Sequence, residues 1–417
     1  MKRMIFTMTT LVASLSTAAA FGATTGTVSG KLQFYQNQGN YCPTSRDCTN
    51  ARYKQADFGT FQPIANALVY LFDVSNVAIG AGTTDADGDF TISWYSVSNA
   101  NQASVRFFYE QDGQRFAIRS SDGSVRQAYT PDFSITNGTA PNNPQAVGTF
   151  SWGSSASPNE YMNVYDGAEK MWRKALKNSN AMLSYFNSLD VWVNSNDCST
   201  SCADGSAMVV KLDPNAEFKP QARILHEMGH IASYLASNDQ NYRFSGTYNF
   251  PVPNQQAGNW SLNTAEWGSV QFEEGVATFF GDAAFYGPGN PTPFTCNSTG
   301  VCNSFDTELS TGANNCVVNE DRQVISVVRF LRDAFDSTSD WAGDDVQRPL
   351  YDFIDTITVA DNGRDEGEKN EPWSVSNANV LDDDDGRSAV DFRRHFKTRT
   401  GVSIWKMWNR NCQTVGD

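Results

Sequence analysis

Histidine is scarce in this 417-residue chain, which holds three, at His226, His230 and His395. Any imidazole chemistry must be assembled from those three. Long apolar runs are also missing. After the first twenty residues nothing approaches the roughly eighteen continuous apolar residues of a membrane helix, so no membrane span is expected. Basic residues are in deficit, with 31 Lys and Arg against 46 Asp and Glu and a formal charge of −15. An acidic surface repels phosphate backbones, which makes nucleic acid an unexpected partner and leaves solubility as the simple role of the charge. Paired CxxC units are absent too, and a cysteine-based zinc site is disfavoured.

The residues that are present describe a globular protein. Apolar residues at 40% and aromatics at 12% supply packed cores and exclude general disorder. A chain this long exceeds the size at which one core keeps growing, so two domains are expected. Residues 1–20 carry Lys2 and Arg3, a short apolar run from Met4 to Leu15, and the small residues Ala18 to Ala20. Those are the three parts of a secretory signal, with cleavage expected near Ala20 or Ala23. The mature protein is then secreted, or periplasmic or extracellular. Eight cysteines suit that oxidising compartment. Proximity pairs Cys42 with Cys48, Cys198 with Cys202, and Cys296 with Cys302. That leaves Cys316 with Cys412, although eight cysteines allow 105 connectivities.

Residues 24–148 read as an all-β unit. Short β-branched or aromatic stretches, at Gly26 to Tyr35, Ala67 to Phe72, Phe90 to Trp94, Val105 to Tyr109 and Phe116 to Arg119, are separated by Gly, Asp and Asn clusters. A β-sandwich is the expected form. Between Ser134 and Asn159 the composition turns to Asn, Gly, Pro and Ser, which suits a linker. Residues 149–417 then read as an α+β domain. Met162, Tyr165, Ala168, Met171, Trp172, Ala175 and Leu176 recur at helical spacing. Strands are expected at Leu189 to Val193 and Met208 to Leu212, and helices around His226, around Glu274, from Asp321 to Phe335 and near Asp391 to Lys397.

The N-terminal segments Gly26-Thr-Val-Ser-Gly30, Ala67-Leu-Val-Tyr-Leu71 and Gly82 to Ile92 resemble the transthyretin-like, carboxypeptidase-regulatory-like domain. In that family a T-D-x-x-G-x-F hairpin joins two core strands, and the domain serves as an accessory or spacer. Asp85, Asp87 and Asp89 then belong to a hairpin turn. An EF-hand loop with Gly88 at its sixth position would begin at Thr83 and end at Trp94, neither of them a carboxylate.

His226-Glu-Met-Gly-His230 carries the chemistry. On a helix, residues four apart lie on one face a turn apart, close enough to bind a single ion. Glu227 lies between them, and in HExxH proteins this carboxylate works on the water rather than on the metal. Ile224, Leu225, Met228, Ile231 and Leu235 make the helix apolar around these residues, so it is expected to be buried. Small Gly229 would allow close packing behind the site.

A catalytic zinc keeps three protein ligands and one open position. Phe272 to Phe280 resembles the N-E-G-x-A helix of the gluzincin metallopeptidases, whose glutamate is the third ligand. Aligning on Glu-Gly-x-Ala selects Glu274, with Glu273 turned about 100° away on the same helix. Thermolysin-like relatives place Asp four residues after that glutamate to orient a histidine; here the position is Thr278. Position 236 is Ala, so the metzincin pattern HExxHxxGxxH is not met. The resemblance implies a zincin-like fold, one catalytic Zn2+ and a protein or peptide substrate, with Glu227 as general base. Two other functions stay open: a secreted binding or adhesion protein whose zinc is structural or vestigial, and metal-assisted hydrolysis of something other than protein.

The stretch Ser237 to Val270 holds Tyr242, Phe244, Tyr248, Phe250, Trp260 and Trp267, as a lid over the metal or as a loop burying its own aromatics. Candidates to steady an oxyanion are His395, Tyr242, Tyr248, Tyr286 and Tyr351. The strand at Met208 to Leu212 would bind substrate backbone by analogy with zincins. Secreted metallopeptidases often carry structural Ca2+, and Asp382 to Asp385 is where it would be sought. There too the EF-hand template fails, with Leu381 at its first position, and a solvated acidic turn is expected.

Overall fold

A computed structural model describes residues 24–36, 60–97, 100–153, 159–180, 182, 188–198, 201–213, 221–236, 268–288, 294–296, 302–304, 324–335, 347–362, 389–404 and 407. Ten strands come first: β1 (Thr24–Tyr35), β2 (Phe61–Pro63), β3 (Ala67–Asp73), β4 (Ala78–Thr83), β5 (Asp89–Ser96), β6 (Gln102–Gln111), β7 (Phe116–Arg119), β8 (Ala128–Tyr129), β9 (Phe133–Ser134) and β10 (Gln145–Trp152). Helix α1 (Asn159–Met171) follows, ending in a π-helical turn at Trp172–Leu176. Then come β11 (Leu189–Trp192), β12 (Cys202–Asp204), β13 (Val209–Lys211), α2 (Gln221–Ala236) and α3 (Gly268–Tyr286). A hairpin of β14 (Phe294–Cys296) and β15 (Cys302–Ser304) precedes α4 (Val324–Phe335), α5 (Leu350–Asn362) and α6 (Ala389–Thr400). An all-β N-terminal part thus leads into an α+β region. No helix among the described residues is long and apolar enough to cross a membrane.

Alternation of side chains sets the sheet. In β3, Ala67, Val69, Leu71 and Asp73 point inward, and the acid among them caps the following turn by accepting the Ser75 and Val77 N–H groups at 2.9 Å. The expected hairpin at 84–89 is present. Asp85 Oδ1 accepts the N–H groups of Asp87 and Asp89 at 2.9 Å, and Gly88 takes the positive φ of 80° that the turn requires.

One mixed sheet runs through both halves in the order β10-β1-β5-β4-β3-β6-β7-β11-β13-β12. The junction is β7, which meets β6 through Glu110 and Ala117 and pairs in parallel with β11 from Phe116 and Leu189 to Arg119 and Trp192. Helix α1 seals the same junction. The Tyr165 ring lies 4.8 Å from Phe107 and 5.4 Å from Phe116, and its hydroxyl donates to the Ala65 and Asn66 carbonyls at 3.0 Å. Every apolar residue expected on the inner face of this helix and its π-helical extension is buried.

Several elements were not anticipated, β10 and α5 the longest of them. The stretch read as a linker contains β10, which pairs in parallel with β1 and crosses the 148/149 boundary. Its alternation is exposed and half-buried, so it leaves no apolar run to recognise. Helix α5 was not anticipated either. Its central Thr356, Ile357, Thr358 and Val359 are weak helix formers, and packing overrides that preference. The Phe353 ring lies 5.0 Å from Phe279 and 5.3 Å from Phe396, so α5 backs the helix that carries Glu274.

Candidate metal centre

Helix α2 presents His226 and His230 one turn apart, with ring centroids 4.8 Å apart and planes nearly perpendicular at 88°. Ile224, Leu225, Met228 and Ile231 are fully buried beneath them, which fixes the helix rotation. Glu274 comes from α3. The two helices approach at Gly229, where a Cβ would meet Ala277 Cα at 2.9 Å and Ala277 O at 3.0 Å. Only glycine permits that contact. On the far side of α3, Gly275 makes similar room for Val327 of α4, so α3 is held from both faces.

The expected triad is brought together. His226 Nε2 lies 3.5 Å and His230 Nε2 3.4 Å from the same atom, Glu274 Oε2, and the three ligand atoms all lie within 4.8 Å of one another. Ligands 2.0–2.1 Å from a tetrahedral ion sit about 3.3–3.4 Å apart. A charge-assisted hydrogen bond would instead shorten the contact to about 2.7–2.9 Å. Glu274 is 5% exposed, and its Oε2 is buried with no hydrogen-bond partner. An oxygen in that position is costly unless a cation takes it up. The donor set therefore fits a metal ion better than it fits a proton.

The backs of both rings are occupied as well. Thr278 Oγ1 lies 3.3 Å from His226 Nδ1. With Nε2 serving as a metal ligand, Nδ1 would carry the proton and donate it to that hydroxyl oxygen. Glu273 Oε1 lies 3.6 Å from His230 Nδ1. Glu273 thus stays out of the ligand set, as its helical position requires, yet faces the second histidine from behind.

Electrostatics follow from burial and from this crowding. Burial pulls His226 below its ordinary imidazole value, and contact with Glu274 opposes it only in part. For His230 burial again pulls down, but Glu274 and Glu273 together hold it well above the usual range. Burial would raise the Glu274 carboxyl, yet the His230 charge and contacts from both imidazoles bring it down to about 2. Without a cation, the centre holds a proton on His230 in its place.

Glu227 shares α2 and is 3% exposed, but it is not among the three clustered ligands. Arg223, one turn earlier, brings Nε to 3.1 Å from Glu227 Oε1 in an ion pair, and its Nη2 donates to the Ser201 carbonyl at 3.4 Å. The sequence reading overlooked Arg223, although a basic residue four positions before the acid was the available signal.

The other expected residues fall as follows. Cys198 and Cys202 form a disulfide, and β14 pairs with β15 so that Cys296 stands opposite Cys302. Cys42, Cys48, Cys316 and Cys412 lie outside the described residues, as do Tyr242, Tyr248, residues 237–267 and Asp382 to Asp385. His395 is half-buried on α6, Tyr351 half-buried on α5, and Tyr286 ends α3. The strand expected to address substrate, β13, has β11 on one side and β12 on the other. Its two neighbours take up both of its edges, and the last strand in the order beyond it is β12. The chain matches no protein-family model and no curated protein sequence.

Proposed function

We propose that the chain is a secreted zinc-dependent peptidase of gluzincin type, with a zincin-like α+β domain behind a transthyretin-like sandwich. The observation that carries this reading is the convergence of His226 Nε2, His230 Nε2 and Glu274 Oε2, with a further buried carboxylate, Glu227, on the same helix outside the ligand set. Two imidazoles and one carboxylate suit zinc better than the oxygen-rich sets of calcium or magnesium. Bound there, zinc would supply a Lewis acid and a water acidified to near-neutral pH. His226 and His230 would bind through Nε2, kept in that tautomer by the groups behind Nδ1. Glu227 would take the proton of the attacking water on its carboxylate and deliver it to the leaving amine nitrogen. Burial of Glu227 and Glu274 keeps these charges out of bulk water, where they would be screened.

Zinc content and casein cleavage of the mature protein, measured beside Glu227→Gln, test the reading. One zinc per chain in both proteins with cleavage lost in the variant is expected. Zinc in both with no cleavage by either would overturn the peptidase assignment.

A further inference from the structure

We infer that Arg223 is a positioning residue for Glu227, tethering its carboxylate to the disulfide-closed loop that ends at Cys202; the inference rests on the peptidase reading above. Three observations converge on it. Arg223 Nε stands 3.1 Å from Glu227 Oε1, at the i and i+4 positions of α2. Its other end is fixed, because Nη2 donates to the backbone carbonyl of Ser201 at 3.4 Å. Ser201 is itself fixed: it lies inside the loop closed by Cys198 and Cys202, and its Oγ accepts the Asp213 N–H at 3.1 Å just after β13.

The side chains are well covered, with 20% of the Arg223 side chain and 4% of the Glu227 side chain exposed. An exposed i,i+4 pair would be worth only a few tenths of a kcal/mol. A covered one restrains geometry. A glutamate on a helix has three rotatable bonds, and a general base must hold its carboxylate within hydrogen-bond reach of the proton it removes. Arg223 is a planar fork that pairs its charge with Glu227 on α2 through Nε, which makes no hydrogen bond, while Nη2 donates to a carbonyl at the sheet margin, so it relates Glu227 to the sheet as well as to its own helix. The arginine is not one of the three clustered ligand residues, and among the described residues the only group of the proposed chemistry it is seen to pair with is Glu227. Its role is exerted through Glu227.

The tether makes a prediction independent of catalysis. In urea unfolding of the metal-free protein, Arg223→Gln and Glu227→Gln should each lower the midpoint, and the double variant should fall no further than the lower single variant. In turnover, Arg223→Ala should keep one zinc per chain and a KM within about twofold of wild type while kcat falls on the order of tenfold or more. Guanidinium ion should restore part of that kcat, and Arg223→Lys, with a single donor nitrogen in place of a planar fork, should lie between.

Additive midpoints would overturn the tether whatever the activity shows. So would a kcat for Arg223→Ala within twofold of wild type, or a loss that tracks loss of zinc. Wild-type protein that cleaves nothing while the midpoints remain coupled would overturn the peptidase reading and reduce Arg223 to a structural link. If Arg223→Ala does not fold, Arg223→Lys carries the same kcat and KM comparison.

Discussion

Replacing Gly229 by alanine perturbs the metal centre without touching a ligand. The new Cβ would lie 2.9 Å from Ala277 Cα and 3.0 Å from Ala277 O, whereas ordinary contact begins at 3.4 Å. Both opposing atoms are backbone, so no rotamer change relieves the overlap. Helices α2 and α3 must separate by roughly 0.5 Å. His226 and His230 travel with α2 and Glu274 with α3, so the present 3.4 and 3.5 Å ligand separations would widen toward about 4 Å. Overpacking costs about 1–3 kcal/mol, while alanine's helix propensity returns about 1 kcal/mol. The metal-free protein should therefore lose up to about 2 kcal/mol, and zinc affinity should fall at least about tenfold, or ~1.4 kcal/mol. Urea unfolding with and without zinc, and competition against a chromogenic chelator, read the two effects separately. Gly153→Ala is the control, since nothing lies within 4 Å of its added Cβ. Wild-type zinc affinity in Gly229→Ala would refute the reasoning.

Further outcomes follow from the same centre. Thr278→Val removes the hydroxyl acceptor behind His226 and Glu273→Gln the negative charge behind His230, and each should weaken zinc by about 10–100-fold in chelator competition, with Glu227 chemistry otherwise intact. His230 is held protonated in the metal-free site, and zinc needs its neutral form. Affinity should therefore rise up to about tenfold per pH unit until His230 titrates, and calorimetry in two buffers of different ionisation enthalpy should show proton release. Asp282, buried on α3, has a carboxyl held well above the usual range by burial, which Arg332 only partly offsets. A raised folded-state value means that its favourable contribution is complete below pH about 4 and declines as pH rises. Asp282→Asn should then match wild type near that pH and exceed it in urea midpoint under mildly alkaline conditions. The opposite order would show that the Arg332 pairing dominates.

Local pattern was legible in the sequence, and distant contact was not. His226 and His230 could be placed together because a helix puts positions i and i+4 on one face, and the buried stripe around them marks the helix. Glu274 came from the resemblance of its helix, since nothing in composition links residues 44 positions apart. Arg223 was within reach of the same i,i+4 rule. Thr278 and Glu273 acquire their places behind the imidazoles only when α3 crosses α2 at Gly229, a tertiary event that neither segment encodes alone. The fold divides the same way. β3 was legible as a short apolar run rich in β-branched and aromatic residues, and the turn at Asp85 to Asp89 from its turn chemistry. The parallel pairing of β7 with β11 joins segments some seventy residues apart, and β10 lacks the apolar alternation that would have marked it.

X-ray absorption at the zinc edge of the loaded protein tests the central claim most directly. One zinc per chain is expected, with a first shell of nitrogen and oxygen at about 2.0–2.1 Å, imidazole scattering from two rings and no sulfur. A sulfur shell near about 2.3 Å, or failure to retain zinc at one per chain, would contradict it.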